Sequence, residues 1–390
     1  MAALPNEAQG QRHRLISSVL TSPGLRPLSS LALPNDLLVD IGPGGRLLAQ
    51  VQLPPTLTRL AILHPHYQFR ALPMEQPQLH LRSFVSEAAL GSIQHLPTLL
   101  PNLEHLSVVL SAADDCNLRA IAGLRGLRSL DLSRIMCRGG LVPALQALSD
   151  LTGLTRLSVS LGTRWGPPEV QLQALAFLSA LDSLHCLRLE LGSHAPADLL
   201  GWLLEQCPGL EDLTIEISPP TTAKTELVVP AGRLGGLRHL ALDGPWLLRP
   251  PVGSCEVSFG GLRRLSLLLT LESCWQELRG RLAPVQGLRT CIFRYSYGSP
   301  VLGMPRASVG DLAGMVRSLG PSVRRVEFLC ASLIFLDGFT ADLLQELAKQ
   351  LEPGVSEVVV RVPASACHVL RANLDARIRV VMDDRGVEGP

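Results

Sequence analysis

Histidines are the first residues whose type and spacing could do chemistry. The stretch "HPHY" supplies His64 and His66, while His80 and His105 fall on neighbouring predicted strands. Imidazoles on adjacent strands could share a metal ion, but a zinc site needs three or four protein ligands, and no Cys or carboxylate completes this set. They read as solvated polar positions. The glycine-rich run "IGPGGRL" (residues 41–47) lacks the Lys and the following hydroxyl of a phosphate-cradling loop and reads as a turn. The chain contains no G-x-x-x-x-G-K-[ST], no G-x-S-x-G and no H-E-x-x-H. The sequence predicts no catalytic residues, no metal and no cofactor.

Nine cysteines, an odd number, are scattered without a C-x-x-C pair. That usage suits a reducing compartment, so the expected location is cytoplasmic, with most thiols serving as small core residues. A net charge of +1 makes no global field that would draw nucleic acid. Hydrophobic residues are 46% of the chain, yet no run reaches the ~18 apolar residues of a membrane span. Residues 1–24 have no long apolar core before a cleavage site and read as an amino-terminal capping segment.

The elements that must position any surface are repeated strands. "LTGLTRLSVSL" (residues 151–161) begins with leucines three apart and ends with apolar residues two apart. A spacing of two belongs to a strand, so the segment predicts a buried bend leading into a short strand with Leu157 and Val159 inward. Such a strand is not stable alone and needs copies beside it. "LPNLEHLSVVL", "LRGLRSLDLSR", "LDSLHCLRLEL", "CPGLEDLTIEI", "LGGLRHLALDG" and "FGGLRRLSLLL" repeat the frame. "GLRPLSSLALP", "TLTRLAIL" and the weaker "PQLHLRSF", with inward Leu79 and Leu81, precede them. "VQGLRTCIFRY", "PSVRRVEFL", "PGVSEVVVRV" and "ARIRVVM" follow. The segments between strands read as helical in "DDCNLRAIAGL", "EVQLQALAFLSAL", "PADLLGWLLEQC", "SVGDLAGMVRSL" and "TADLLQELAKQL".

The recurring L-x-x-L-x-L frame resembles the leucine-rich repeat family over nearly the whole chain, and the repeat length with helical returns resembles its ribonuclease-inhibitor-like subclass. The resemblance implies an α/β solenoid, a horseshoe with parallel strands on the concave face and helices or irregular returns on the convex face. The family's Asn, expected five residues past each inward anchor, is missing throughout, which predicts irregular loops. A solenoid needs no internal boundary, so residues 25–382 read as one array of about fourteen repeats and 383–390 as a tail. The family's shape implies a non-catalytic scaffold that binds another protein. Residues 33–41, "LPNDLLVDI", resemble the opening of an F-box, whose alternative implication is a substrate-receptor subunit of a ubiquitin ligase; Gly42 and Pro43 end that run early. Family members of this composition also resemble axonemal proteins, making the ciliary axoneme the alternative location.

Two surfaces follow from the frame. One residue before and one or three after each anchor should face outward, which exposes Glu190, Asp212 and Glu216 in the middle repeats. Later repeats expose Arg264, Arg294, Arg325, Arg361, Arg377 and Arg379. Guanidinium pairs with carboxylate or phosphate in a two-pronged geometry, so this half should take an acidic or phosphorylated partner segment. Only Lys224 and Lys349 are lysines, so arginine is the chain's general cation. The second surface is a rim. Tyr67, Trp165, Trp246, Tyr295 and Tyr297 lie four to eight residues past an anchor, where strands give way to returns. Large aromatics with a polar handle often anchor interfaces. Trp202 and Trp275 fall in helical returns and read as packed.

Overall fold

The computed structural model describes residues 28–34, 53–63, 68–69, 76–110, 115–135, 141–160, 168–192, 195–217, 224–230, 234, 236–269, 287–295, 314, 316–317, 321–330, 346, 349–351, 354–362 and 376–382. Within them the three-residue spacing of the frame is a turn. The Leu154 amide donates to the Leu151 carbonyl at 2.9 Å, and both leucines are buried. The same bond links Leu127 to Leu124 at 2.9 Å, Leu237 to Leu234 at 3.0 Å and Leu262 to Phe259 at 3.3 Å. The next two amides then share one acceptor on the preceding strand, Thr155 and Arg156 donating to the Arg128 carbonyl at 2.8 and 3.0 Å. This two-to-one pattern recurs on the carbonyls of Arg82, Glu104, Arg238, Arg263, Arg289 and Arg324, and fixes where each strand starts relative to its neighbour.

The chain forms two compact units, Met1–Cys186 and Leu187–Pro390. In the first, strands β1 to β7 are Ser30–Pro34, Arg59–Leu63, Gln68–Phe69, Ser83–Leu90, His105–Leu110, Ser129–Ile135 and Arg156–Ser160. Their order is β1-β2-β4-β5-β6-β7, every pair parallel, with β3 beside β4. The anchors stand in register across the sheet: Leu31, Leu60, Phe84, Leu106, Leu130 and Leu157. The third differs from expectation. Leu79 is 55% exposed, whereas Phe84 is fully buried and pairs with both Leu60 and Leu106. In "PQLHLRSF" Leu81 supplies the buried turn position, and the frame's next apolar place falls to an aromatic.

Helices α1 (Leu96–Leu99), α2 (Asp115–Ala122), α3 (Leu141–Gln146) and α4 (Pro168–Leu175) return the chain between strands, α3 and α4 each running into a 3-10 turn. α2 carries a buried asparagine. Asn117 Oδ1 accepts from the Ile93 amide at 2.9 Å and its Nδ2 donates to the Gly91 carbonyl at 3.1 Å. It satisfies backbone groups that would otherwise be buried unpaired, from a helix rather than from the end of a strand.

In the second unit β8 (Cys186–Leu191, all but its first residue), β9 (Asp212–Ile217), β10 (Thr225–Val228), β11 (His239–Gly244), β12 (Trp246–Arg249), β13 (Arg264–Leu269), β14 (Thr290–Tyr295), β15 (Arg325–Cys330), β16 (Glu357–Val362) and β17 (Ile378–Met382) follow. The order is β8-β9-β11-β13-β14-β15-β16-β17. From β9 onward the anchors Leu213, Leu240, Leu265, Cys291, Val326, Val358 and Ile378 again share one register. Cys291 is fully buried at its anchor place. The fold is therefore α/β, with parallel strands that each repeat one apolar frame.

Among the described residues, returns in this unit are of two kinds. α5 (Leu199–Gln206) is helical as expected, and Gly314, Val316, Arg317, Glu346, Lys349 and Gln350 are helical or at a helix end within the two last predicted returns. β10 and β12 are instead extended and pair with each other in parallel, apart from the main order. Prolines explain them: Pro245 precedes β12 and Pro250 and Pro251 follow it, each unable to donate within a helix. The Thr225 amide donates to the Pro245 carbonyl at 2.9 Å, so the proline serves as acceptor only.

Candidate functional site

The frame gives each unit an apolar row turned inward, a polar row one place before the anchors and a mixed row one place past them. In the first unit His105 and Arg156 are exposed one residue before their anchors, with Ser129 half-buried between them. One residue past the anchors stand Ser107, Asp131 and Ser158, all half-buried. Ser107 Oγ donates to Asp131 Oδ2 at 3.4 Å, and Asp131 Oδ1 is buried without a hydrogen-bond partner. An acceptor desolvated and unpaired costs stability unless something donates to it.

The second unit begins with paired polar side chains. Glu216 holds Arg188 at 2.9 Å, and Asp212 Oδ2 lies 3.3 Å from His239 Nδ1. Two of the three expected acidic residues are thus engaged by neighbouring strands; Glu190 is half-buried. Further on, the row one past the anchors closes. Ser266, Ile292, Glu327 and Val359 are 7%, 2%, 4% and 1% exposed, so β13 to β16 are buried on both sides at this row. A face expected to be open is covered here.

The predicted arginines do not act alike. Arg264 and Arg379 are exposed, and Arg264 has no ion pair among the described residues. Arg325 is spent within the fold: its Nη2 meets Glu327 at 3.2 Å and its Nη1 meets Glu357 at 3.1 Å. Arg377 is half-buried. Arg294 and Arg361 lie in β14 and β16, and their side chains fall outside the described residues.

Of the rim aromatics, Trp246 needs correction. It lies in β12 and is 1% exposed, so it is a core residue that offers a partner no surface. Its Nε1 is buried without a hydrogen-bond partner. Tyr295 ends β14 with its side chain undescribed, and Tyr67, Trp165 and Tyr297 lie outside the described residues. Trp202, half-buried, sits in α5 as expected. Leu33 and Pro34 of the F-box-like run belong to strand β1, and residues 35–41 are outside the described residues.

Strand alternation does not single out the row two residues before each anchor. In the first unit it reads Arg82, Glu104, Arg128, Thr155, mixed in sign. Arg82 and Glu104 are 3.5 Å apart. In the second, four strands in succession, β11, β13, β14 and β15, place Arg238, Arg263, Arg289 and Arg324 there, all exposed. The recurring "GLRH", "GLRR", "GLRT" and "SVRR" ahead of each anchor is the signal that would have found them.

Among the described residues no three of His, Cys, Asp and Glu are grouped to hold a metal ion, and no helix is long and apolar enough to cross a membrane. Burial pushes the Cys207 thiol up from 9.0 to about 11 and raises Cys291 further still, which keeps both protonated and packed.

No family model matches the chain, and no curated protein matches it. Among solved structures it is similar to an internalin, InlF, from Listeria monocytogenes, at 11% identity over 95% of this chain and 94% of that one, with a TM-score of 0.36. The Arabidopsis receptor kinase HAESA, in complex with the peptide hormone IDA and the co-receptor SERK1, aligns at 15% identity over 96% and 86%, with a TM-score of 0.34. The leucine-rich repeat-containing protein LegL7 from Legionella pneumophila aligns at 14% over 92% and 88%, with a TM-score of 0.32. At this distance they carry no residue and no partner across to this chain.

Proposed function

We propose that this chain is a non-catalytic scaffold that binds another protein along the polar rows of its strands. The observation that carries the reading is the register. Anchors aligned strand to strand also align the residues beside them, so one place before the anchors each unit carries a polar row, from Ser30 and Arg59 to His105 and Arg156 in the first and from Asp212 and His239 to Glu357 and Arg377 in the second. At ~4.8 Å per strand, six strands in the first unit extend over about 24 Å and eight in the second over about 34 Å. Lengths of that order suit a macromolecule better than a small ligand. The open groups on these rows are suited to recognition: His105, Arg156 and Arg264 are all exposed.

The test is affinity capture with the full chain from native lysate, identification of the bound protein, and rebinding with Arg156→Glu and Arg264→Glu. Both side chains are exposed, so the variants should melt as the parent does while losing affinity. Undiminished capture by both variants would remove the strand rows from the interface.

A further inference from the structure

We propose that the arginine row at the strand starts of the second unit is a docking ladder for an extended acidic segment of a partner protein, one rich in Asp or Glu. This deepens the protein-binding reading above by naming the partner's chemistry and a part of the surface that reads it.

Three observations converge on Arg238, Arg263, Arg289 and Arg324. Their placement is fixed by the backbone. The Arg238 carbonyl accepts from the amides of Arg263 and Arg264 at 2.8 and 3.1 Å. The Arg263 carbonyl accepts from Arg289 and Thr290 at 2.9 and 3.1 Å, and the Arg289 carbonyl from Arg324 and Arg325, both at 3.0 Å. Each arginine is therefore tied to the next through the main chain, which sets a spacing of ~4.8 Å per rung without fixing the side chains.

The charge on this row is only partly answered. Arg238 meets Glu211 at 3.3 Å, at the end where the row begins, and Arg324 Nη1 donates to the Gly354 carbonyl at 3.1 Å, at the other end. Arg263 and Arg289 in the middle, with Arg264 beside them, are exposed and hold neither an ion pair nor a hydrogen bond through their side chains among the described residues. A scattered excess of arginine does not account for this arrangement, because the same row of the first unit reads Ser29, Thr58, Arg82, Glu104, Arg128 and Thr155, with Arg82 and Glu104 paired at 3.5 Å.

The approach is open as well. Gly261 and Gly287 turn the chain just before the two middle arginines with φ of +94° and +85°, and a Cβ at either would meet nothing within 4 Å. Glycine is held there by the backbone conformation, and among the described residues nothing stands within 4 Å of where its Cβ would be.

The chemistry of the occupant follows from the geometry. Four cations in a line about 14 Å long match a line of single charges better than one compact dianion, which would call for arginines converging on a point. An extended peptide rises ~3.3 Å per residue, so about five residues cover the ladder. Single-stranded nucleic acid would also offer a line of charge, but it binds with bases stacked on aromatic faces; of the described rings beside these strand starts, Phe259 is fully buried and His239 is engaged by Asp212 at 3.3 Å.

The experiment uses the full chain and fluorescence anisotropy with a labelled synthetic peptide of about five consecutive glutamates between Gly-Ser flanks. The glutamate peptide should bind in a salt-sensitive manner. Arg263→Glu with Arg289→Glu should weaken it about tenfold or more, and the milder Arg263→Gln with Arg289→Gln about threefold, with unchanged melting temperatures. Arg82→Glu with Arg128→Glu, on the same row of the first unit, should leave binding unchanged. The proposal is overturned if that control loses as much affinity, or if the glutamine counterpart of the peptide binds equally well. Tighter binding of a singly phosphorylated peptide or of an oligothymidine of equal charge would overturn it too. Should the glutamate peptide fail while a captured partner still responds to Arg156→Glu, the ladder falls and the scaffold reading stands.

Discussion

Glu327 occupies a place in β15 where its frame expects an exposed residue, yet it is 4% exposed and lies between Ile292 and Val359 on the adjacent strands. A carboxylate in such a setting is costly without a partner, and Arg325 at 3.2 Å supplies one while also holding Glu357 at 3.1 Å. Removing only the cation should hurt more than removing the pair. Arg325→Met is expected to lose about 1–3 kcal/mol of unfolding free energy, and Arg325→Met with Glu327→Met to regain most of it, as read from urea denaturation. If the double variant is as unstable as the single one, Arg325 is not the group that holds Glu327. A second residue-scale expectation concerns thiols. Cys116 and Cys255 are exposed and should react with an alkylating reagent in the native chain, whereas Cys207 and Cys291 should resist until it is unfolded. The sign for pH is fixed by the raised Cys207 value: the native state keeps the proton that the unfolded thiol loses from about 9 upward. Its contribution is present below that pH and declines as pH climbs toward 11.

At the scale of elements, the frame was legible wherever a leucine filled it. Leu106, Leu130, Leu157, Leu213, Leu240 and Leu265 all stand where the spacing puts them, and Cys291, Val326 and Val358 continue the same register without any leucine. It failed at "PQLHLRSF", because two leucines two apart imitate a strand that in fact starts later, at Ser83. The local pattern cannot distinguish a turn leucine from an anchor; pairing with Leu60 and Leu106 decides it in favour of Phe84. Phe84→Ala should therefore cost about 3–5 kcal/mol, and Leu79→Ala less than about 0.5. Comparable losses at the two positions would restore the earlier register. The extended pair β10 and β12 was not legible, since a two-strand pairing between segments separated by a whole repeat leaves no local period. The candidate surface was the least legible part. Outward rows were read from alternation alone, and alternation cannot say that Ser266, Ile292 and Val359 would be covered or that Arg325 would be claimed by two glutamates.

At the scale of the whole chain, each unit is an array in which a strand bonds only to its neighbours in the order, so stability should be distributed rung by rung. Such an array has no single core whose loss melts everything at once; a defect weakens the adjacent rungs first and distant ones through the chain of nearest-neighbour terms. Leu157 tests this. It is 2% exposed, anchors β7, and pairs directly with Leu130 of β6. Leu157→Asp would place a carboxylate among leucines with no cation to answer it, at a cost of about 3 kcal/mol or more. Hydrogen exchange read strand by strand should then show the largest loss of protection in β6 and β7, less in β4 and β5, and least in β1 and β2. A uniform loss across all of these strands would mean that the first unit opens as one block, and an unchanged pattern would mean that Leu157 is not an anchor. The graded outcome is expected because the amides of Thr155 and Arg156 bond to Arg128, those of Arg128 and Ser129 to Glu104, and those of Glu104 and His105 to Arg82, a relay in which each link is made by one pair of strands alone.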